Sequence, residues 1–137
     1  MIYLRSIGAF VAGMAVAAAV NFGLILLGPL VIAVPDGFDN SSQQAVMETV
    51  HLLEARHFIF PLLAHALGTL AGVWLGALLA HHKLVVGVAV GALSFAGGIA
   101  NVIALPGPTW FEVLDLLVCY VPMTWLGYRL ATRDGTA

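Results

Sequence analysis

The sequence predicts an all-α membrane protein, a single four-helix transmembrane bundle over residues 1–137 with a short amphipathic outer surface helix between spans one and two. Three observations carry this. The chain is 61% hydrophobic and 9% charged, whereas ordinary soluble domains hold about 25% charged residues. Its apolar residues gather in four runs, Ile7–Val34, Phe58–Ala80, Leu84–Leu105 and Val113–Leu130, and a helix crossing hydrocarbon needs about 20 such residues. The cations are lopsided: Arg5, Lys83, Arg129 and Arg133 fall on one side of an even-numbered bundle and only Arg56 on the other. Lys and Arg favour the cytoplasmic side, so both termini are expected there.

Span one begins as "MIYLRSIGAFVAGMAVAAAV", which imitates a secretory signal. The apolar run continues far past a plausible cleavage site, so a retained, signal-anchor-like span is expected. Pro29 removes a helical hydrogen bond, making Leu30–Val34 either a kinked extension or an interfacial turn. The turn-rich "PDGFDNSS" follows, with Asp36, Asp39, Glu48 and Glu54 on the side of Arg56. Ser41 with Gln44 fits a capping box, and Val46, Val50 and Leu53 form an apolar stripe across Gln43–Ala55. This pattern predicts the surface helix. Pro61 disfavours a helical residue before it, so span two is expected to start near Pro61.

Span two carries Ala64, Gly68, Gly72, Gly76 and Ala80; span three carries Gly87, Gly91, Ser94, Gly98 and Asn101. Small residues at such spacing let helix backbones approach closely in lipid. The short "HHK" turn makes the two spans antiparallel neighbours, and the stripes are expected to face each other. Thr109 and Glu112 form a second capping box, which starts span four at Trp110. Pro122 is expected to bend that span in its inner half. Trp110, Trp125 and Tyr128 suit interfacial belts.

Helical rise is about 1.5 Å per residue. It places His65, Asn101 and Asp115, on three different spans, in one layer beneath the outer surface. Polar residues inside a membrane usually face the bundle interior or a wet cavity. Two readings follow. The three residues form an outward-facing pocket for a small ligand, proton or metal, in which a carboxylate would raise the proton affinity of a histidine; or they form an interhelical clamp. His57, Glu112 and Asn21 are secondary candidates. His57, His65, Glu112 and Asp115 together would offer a divalent metal a mixed nitrogen–oxygen site. The two Glu-x-x-His pairs, 48–51 and 54–57, resemble di-iron ligand spacing, but on a surface helix without further inward glutamates they read as a solvated polar face. His81 and His82 sit at the turn as interfacial residues. Cys119 reads as a buried thiol, and a lone cysteine forms no intrachain disulfide.

The segments "HFIFPLLAHALGT" and "GGIANVIALPGPTWFEVLDLLVCYVPMTWLG" resemble small uncharacterised bacterial four-span inner-membrane proteins. The resemblance implies a bacterial inner membrane and brings no activity with it. Other four-span families fit less well. Small multidrug exporters use a glutamate in span one, where this chain has Asn21. Fluoride channels insert with balanced charge, and vitamin K epoxide reductases need a cysteine pair. No nucleotide loop, nucleophile motif or zinc-protease motif is present, and no basic stripe suggests nucleic acid.

The sequence therefore supports a non-enzymatic membrane protein with a polar pocket for binding or transport, its cofactor undetermined. Two alternatives stand beside it: a structural or accessory subunit of a larger membrane complex, and a membrane enzyme using outer-leaflet histidines and carboxylates. The expected partners are the lipid bilayer and either further copies of the chain or a larger complex.

Overall fold

A computed structural model describes residues 2–105 and 107–133; Pro106, in the connection between spans three and four, lies outside them. Among the described residues there are helices and no strands: α1 (Ile2–Val31), α2 (Gln43–Thr49), α3 (Ile59–Leu79), α4 (Lys83–Ala104), α5 (Thr109–Val118) and α6 (Val121–Thr132), with 3-10 turns at Val50–Leu52 and Ala55–Phe58. Four segments, Tyr3–Val31, Ala55–Leu79, Lys83–Ala104 and Thr109–Thr132, are long and apolar enough to cross a membrane. The protein is a four-span helical bundle. Its "terminal end" holds the start of α1, the end of α6 and the His81–His82 turn; its "loop end" holds the α1–α3 and α4–α5 connections.

The central helix is α3, which packs against α1, α4 and α6. Glycines explain how. A Cβ on Gly72 would lie 2.7 Å from both Gly13 O and Ala17 Cβ of α1, and one on Gly68 would lie 3.0 Å from Ala17 O. The span-two stripe therefore faces span one, not span three. The span-three stripe is also redirected: a Cβ on Gly91 would strike Thr124, and one on Gly98 would strike Tyr120, both from span four. The two stripes approach each other only near the turn, where Gly76 meets Val86 and Val90, and Gly87 meets Ala77 and Val73. The spacing reported close backbone approach correctly but did not specify the neighbour, because glycine offers the same flat surface to any helix.

Capping chemistry departs from expectation in detail. Helix α2 is capped by Ser42, whose hydroxyl accepts from Ala45 N–H at 3.1 Å, while Gln44 bonds Glu48. The surface segment is not one helix over Gln43–Ala55; it stops at Thr49 and continues as two 3-10 turns separated at Leu53–Glu54. Helix α3 begins at Ile59, two residues before Pro61. Proline is tolerated there because first-turn N–H groups have no intrahelical partner.

Span four begins at Thr109 with Pro108 at the cap, and Glu112 instead accepts from Gly107 N–H at 2.7 Å. It breaks at Cys119–Tyr120, near its middle rather than in its inner half. Pro122 has no N–H and its ring would collide with the carbonyl four residues earlier, so the chain breaks before it and restarts with Pro122 in the first turn of α6.

The terminal end is pinned by polar contacts. Arg5 Nε donates to Leu79 O at 2.9 Å, placing a cation at the C-terminus of α3, where the helix dipole favours it. His82 N–H donates to Ser6 Oγ at 3.4 Å. At the loop end, Gln43 Nε2 donates to Ala104 O, and Phe58 packs on Phe111 and Trp110 with ring centroids 4.8 and 5.7 Å away.

Candidate functional site

The break in span four shapes the site. Asp115 lies on α5, one turn before the break, and is buried at 1% exposure. His65, two turns into α3, donates from Nδ1 to Asp115 Oδ1 at 2.7 Å. Tyr120, at the break, donates its hydroxyl to Asp115 Oδ2 at 3.3 Å. Its ring stacks obliquely near the His65 ring, centroids 6.0 Å apart. One carboxylate thus takes a hydrogen bond on each oxygen, from two different elements. With the carboxylate accepting, Nδ1 of His65 carries the hydrogen, and in the neutral ring Nε2 keeps its lone pair. This is the arrangement in which a carboxylate orients an imidazole for a ligand on its far nitrogen.

Gly98 makes the geometry feasible. A Cβ there would lie 2.4 Å from the Tyr120 hydroxyl oxygen, so only glycine on α4 admits the ring. Below Asp115, Cys119 is fully buried and donates from Sγ to Leu62 O at 3.4 Å. The thiol is tied to α3.

In front of His65 lies a cavity of about 310 Å³. Its polar walls are Asn21 of α1, Thr69 of α3, Ser94 and Asn101 of α4, with His65 and Tyr120. The shape follows from packing. Helices α1 and α4 run parallel and meet in the terminal half, where a Cβ on Gly13 would lie 3.2 Å from Val90 and where Ala9, Val86 and Val90 share a buried cluster. Further along they part: Gly97 has no heavy atom within 4 Å of where a Cβ would stand.

The sequence candidates separate accordingly. His65 and Asp115 meet directly. Asn101 is exposed and lines the cavity without joining the pair, and Asn21 lines the opposite wall. His57 does not reach them: its Nδ1 accepts from Glu54 N–H at 2.9 Å, so its Nε2–H donates to Ala33 O at 3.1 Å. That contact ties the turn before α3 to the chain leaving α1. Glu112 is engaged with Gly107. His57, His65, Glu112 and Asp115 therefore do not converge, and among the described residues no group of three or more His, Cys, Asp or Glu is placed to hold a metal.

Sequence reasoning missed Tyr120, Thr69 and Ser94. Tyr120 was signalled by its place just before Pro122, where a break frees the side chain from a regular helical direction, and by the glycine it needs at position 98. Thr69 and Ser94 carried no separate signal, since hydroxyls inside spans commonly bond their own helix.

No family model matches the chain, and neither does any curated protein or solved structure.

Proposed function

We propose that this multi-pass membrane protein binds a small ligand in the cavity before His65, with Nε2 of His65 as the contacting and proton-exchanging atom and with Asp115 and Tyr120 as positioning residues. The observation that carries the reading is the pairing of a His65–Asp115 hydrogen bond, 2.7 Å long and part-buried, with a cavity beside the same imidazole. A clamp needs the bond; it does not need the adjoining space or its polar walls. The charge bias supports a cytoplasmic terminal end and a cavity toward the outer leaflet, and the resemblance in spans two to four favours a bacterial inner membrane.

The test is the ¹⁵N resonance of His65 Nε2 in protein reconstituted into phosphatidylcholine vesicles, during titration with protons, with Zn²⁺ and with a panel of small polar solutes. At least one of these shifts the resonance in the wild type, and Asp115→Asn weakens that response about tenfold, equivalent to ~1.4 kcal/mol. A resonance indifferent to all three, in both proteins, reduces the pair to a clamp.

One observation favours the accessory-subunit alternative. In α1 only 11% of the most apolar window is buried, against 39% for the α3 segment, so most of α1 faces lipid or a partner. Purification in mild detergent separates the readings: a persistent heteromeric partner supports the subunit role, and a protein free of one does not.

A further inference from the structure

The direction in which the cavity opens identifies its occupant. Helix α3 forms the back wall, where Gly68 and Thr69 are buried. The lips are Ala18 on α1 and Leu93 and Gly97 on α4, all exposed. Because α1 and α4 converge at the terminal end and separate beyond Gly13, the opening lies between them, on the side away from α3. For a single copy of a membrane-spanning bundle, that side faces the lipid. Ser94 stands eleven residues past Lys83, roughly 16 Å along a helix about 33 Å long. The cleft thus starts at mid-span and rises to the loop end.

Amides and hydroxyls open to hydrocarbon are costly, since no water is present to satisfy them. Asn21, Ser94 and Asn101 all line this cleft, and among the described residues none hydrogen-bonds their side chains. An occupant that brings its own polar atoms removes the cost. The charges narrow its chemistry: no Lys or Arg lines the cleft, and Arg5, Lys83 and Arg129 lie at the terminal end. A phosphate or carboxylate head would find no permanent cation. The His65 Nε2 lone pair accepts a hydrogen, while the Asn21 and Asn101 amides donate and accept. A volume near 310 Å³ is at the small end of ligand sites and suits a head group better than a whole lipid, with the rest left outside between apolar lips.

Building on the binding role proposed for His65, we infer that the ligand is an uncharged amphiphile with a hydroxyl-bearing head, entering sideways from the bilayer. Its hydroxyl donates to His65 Nε2, its oxygens accept from Asn21 and Asn101, and its chain lies in the lipid beside Leu93. Diacylglycerols and long-chain alcohols have this chemistry.

Protein in phosphatidylcholine vesicles is photolabelled with a diacylglycerol carrying a diazirine on its acyl chain, and cross-links are mapped by mass spectrometry. Labelling concentrates on Ala17–Asn21 and Leu93–Asn101 and falls about tenfold in His65→Leu. It falls equally in Gly97→Trp, which fills the mouth at a position with free space and leaves the polar residues in place. Phosphatidic acid with the same diazirine gives no such concentration. Even labelling around all lipid-facing surfaces, insensitivity to Gly97→Trp, or equal labelling by phosphatidic acid overturns the inference.

A second measurement separates this failure from failure of the binding role. In Ser94→Cys, rapid reaction with a membrane-impermeant maleimide shows filling from water; it overturns entry from the lipid and leaves the His65 site standing. Cross-linking of Ala18→Cys to a second copy of the chain also overturns the inference, because the cleft would then be a subunit seam. Slow aqueous reaction and no cross-linking between copies support it.

Discussion

In the terminal half of the bundle, α1 lies against α3 with backbone almost touching backbone and against the Val90 side chain of α4; in the loop half the same helix parts from α4 and leaves polar walls. Both halves are rich in glycine, and the difference lies in what faces each one. Gly13 and Gly72 face other backbones, within 2.7 Å of where a Cβ would stand, whereas Gly97 faces nothing. Close packing in lipid rests on dispersion and shape, without help from water exclusion. The closed half therefore supplies rigidity, and the open half can hold polar groups that a tightly packed seam would exclude. A fixed wedge at one end makes a cleft of constant shape at the other.

The most direct way to break this contrast is to put the same side chain on both sides of it. Gly72→Val forces atoms into the Ala17 side chain and the Gly13 carbonyl, and overpacking of this kind costs about 3 kcal/mol where backbone must move. Gly97→Val enters free space and replaces glycine with a better helix former, so stability is unchanged or rises by less than ~1 kcal/mol. Unfolding in mixed micelles reads both. Equal losses would mean that the two halves pack alike.

The spans were legible in the sequence because bilayer thickness fixes the length of an apolar run. The shared depth of His65 and Asp115 was legible because helical rise is constant. Azimuth was not. Asn101 sits at a similar depth, yet it lines the cleft and does not join the pair, since rotation about a helix axis is set by packing among all four spans. The direction of the glycine stripes was lost for the same reason. Tyr120 was hidden differently: a tyrosine in an apolar run reads as ordinary bulk, and only the break forced by Pro122 turns it toward Asp115. Pro122 was legible as a bend, but the break falls before the proline, because the missing N–H and the ring clash act on the preceding turn.

The contrast is sharpened at Asp115, which joins α3, α5 and the break. Asp115→Ala leaves the His65 N–H and the Tyr120 O–H without an acceptor, and each unsatisfied buried donor costs about 1–3 kcal/mol. Asp115→Asn keeps one carbonyl oxygen and loses less. A double-mutant cycle between Asp115→Ala and His65→Ala isolates the pair. Interhelical hydrogen bonds in membranes average about 0.6 kcal/mol in such cycles. A bond this short and part-buried is expected above that average; a coupling near zero would show that the pair does not hold the loop half together.

The smallest effect tests how far the loop half depends on its surface turns. Asp39 lies before α2, where hydrogen bonds from the Ser41 side chain and then the Ser41 backbone hold its carboxyl below the ordinary value of 3.8. Because the folded value is the lower one, the turn's contribution is fully present above the ordinary carboxylate range. It is lost as pH falls through the depressed value. Ser41→Ala removes the larger of the two bonds, so the Asp39 titration moves back toward 3.8, and the Ser41 backbone bond keeps it from returning fully. Asp39 is fully exposed and far in sequence from Asp115, so at any one pH Ser41→Ala should leave the His65 resonances where the wild type has them. If the substitution moves them, the cleft is not held by the closed half alone, and the surface turn takes part in setting its shape.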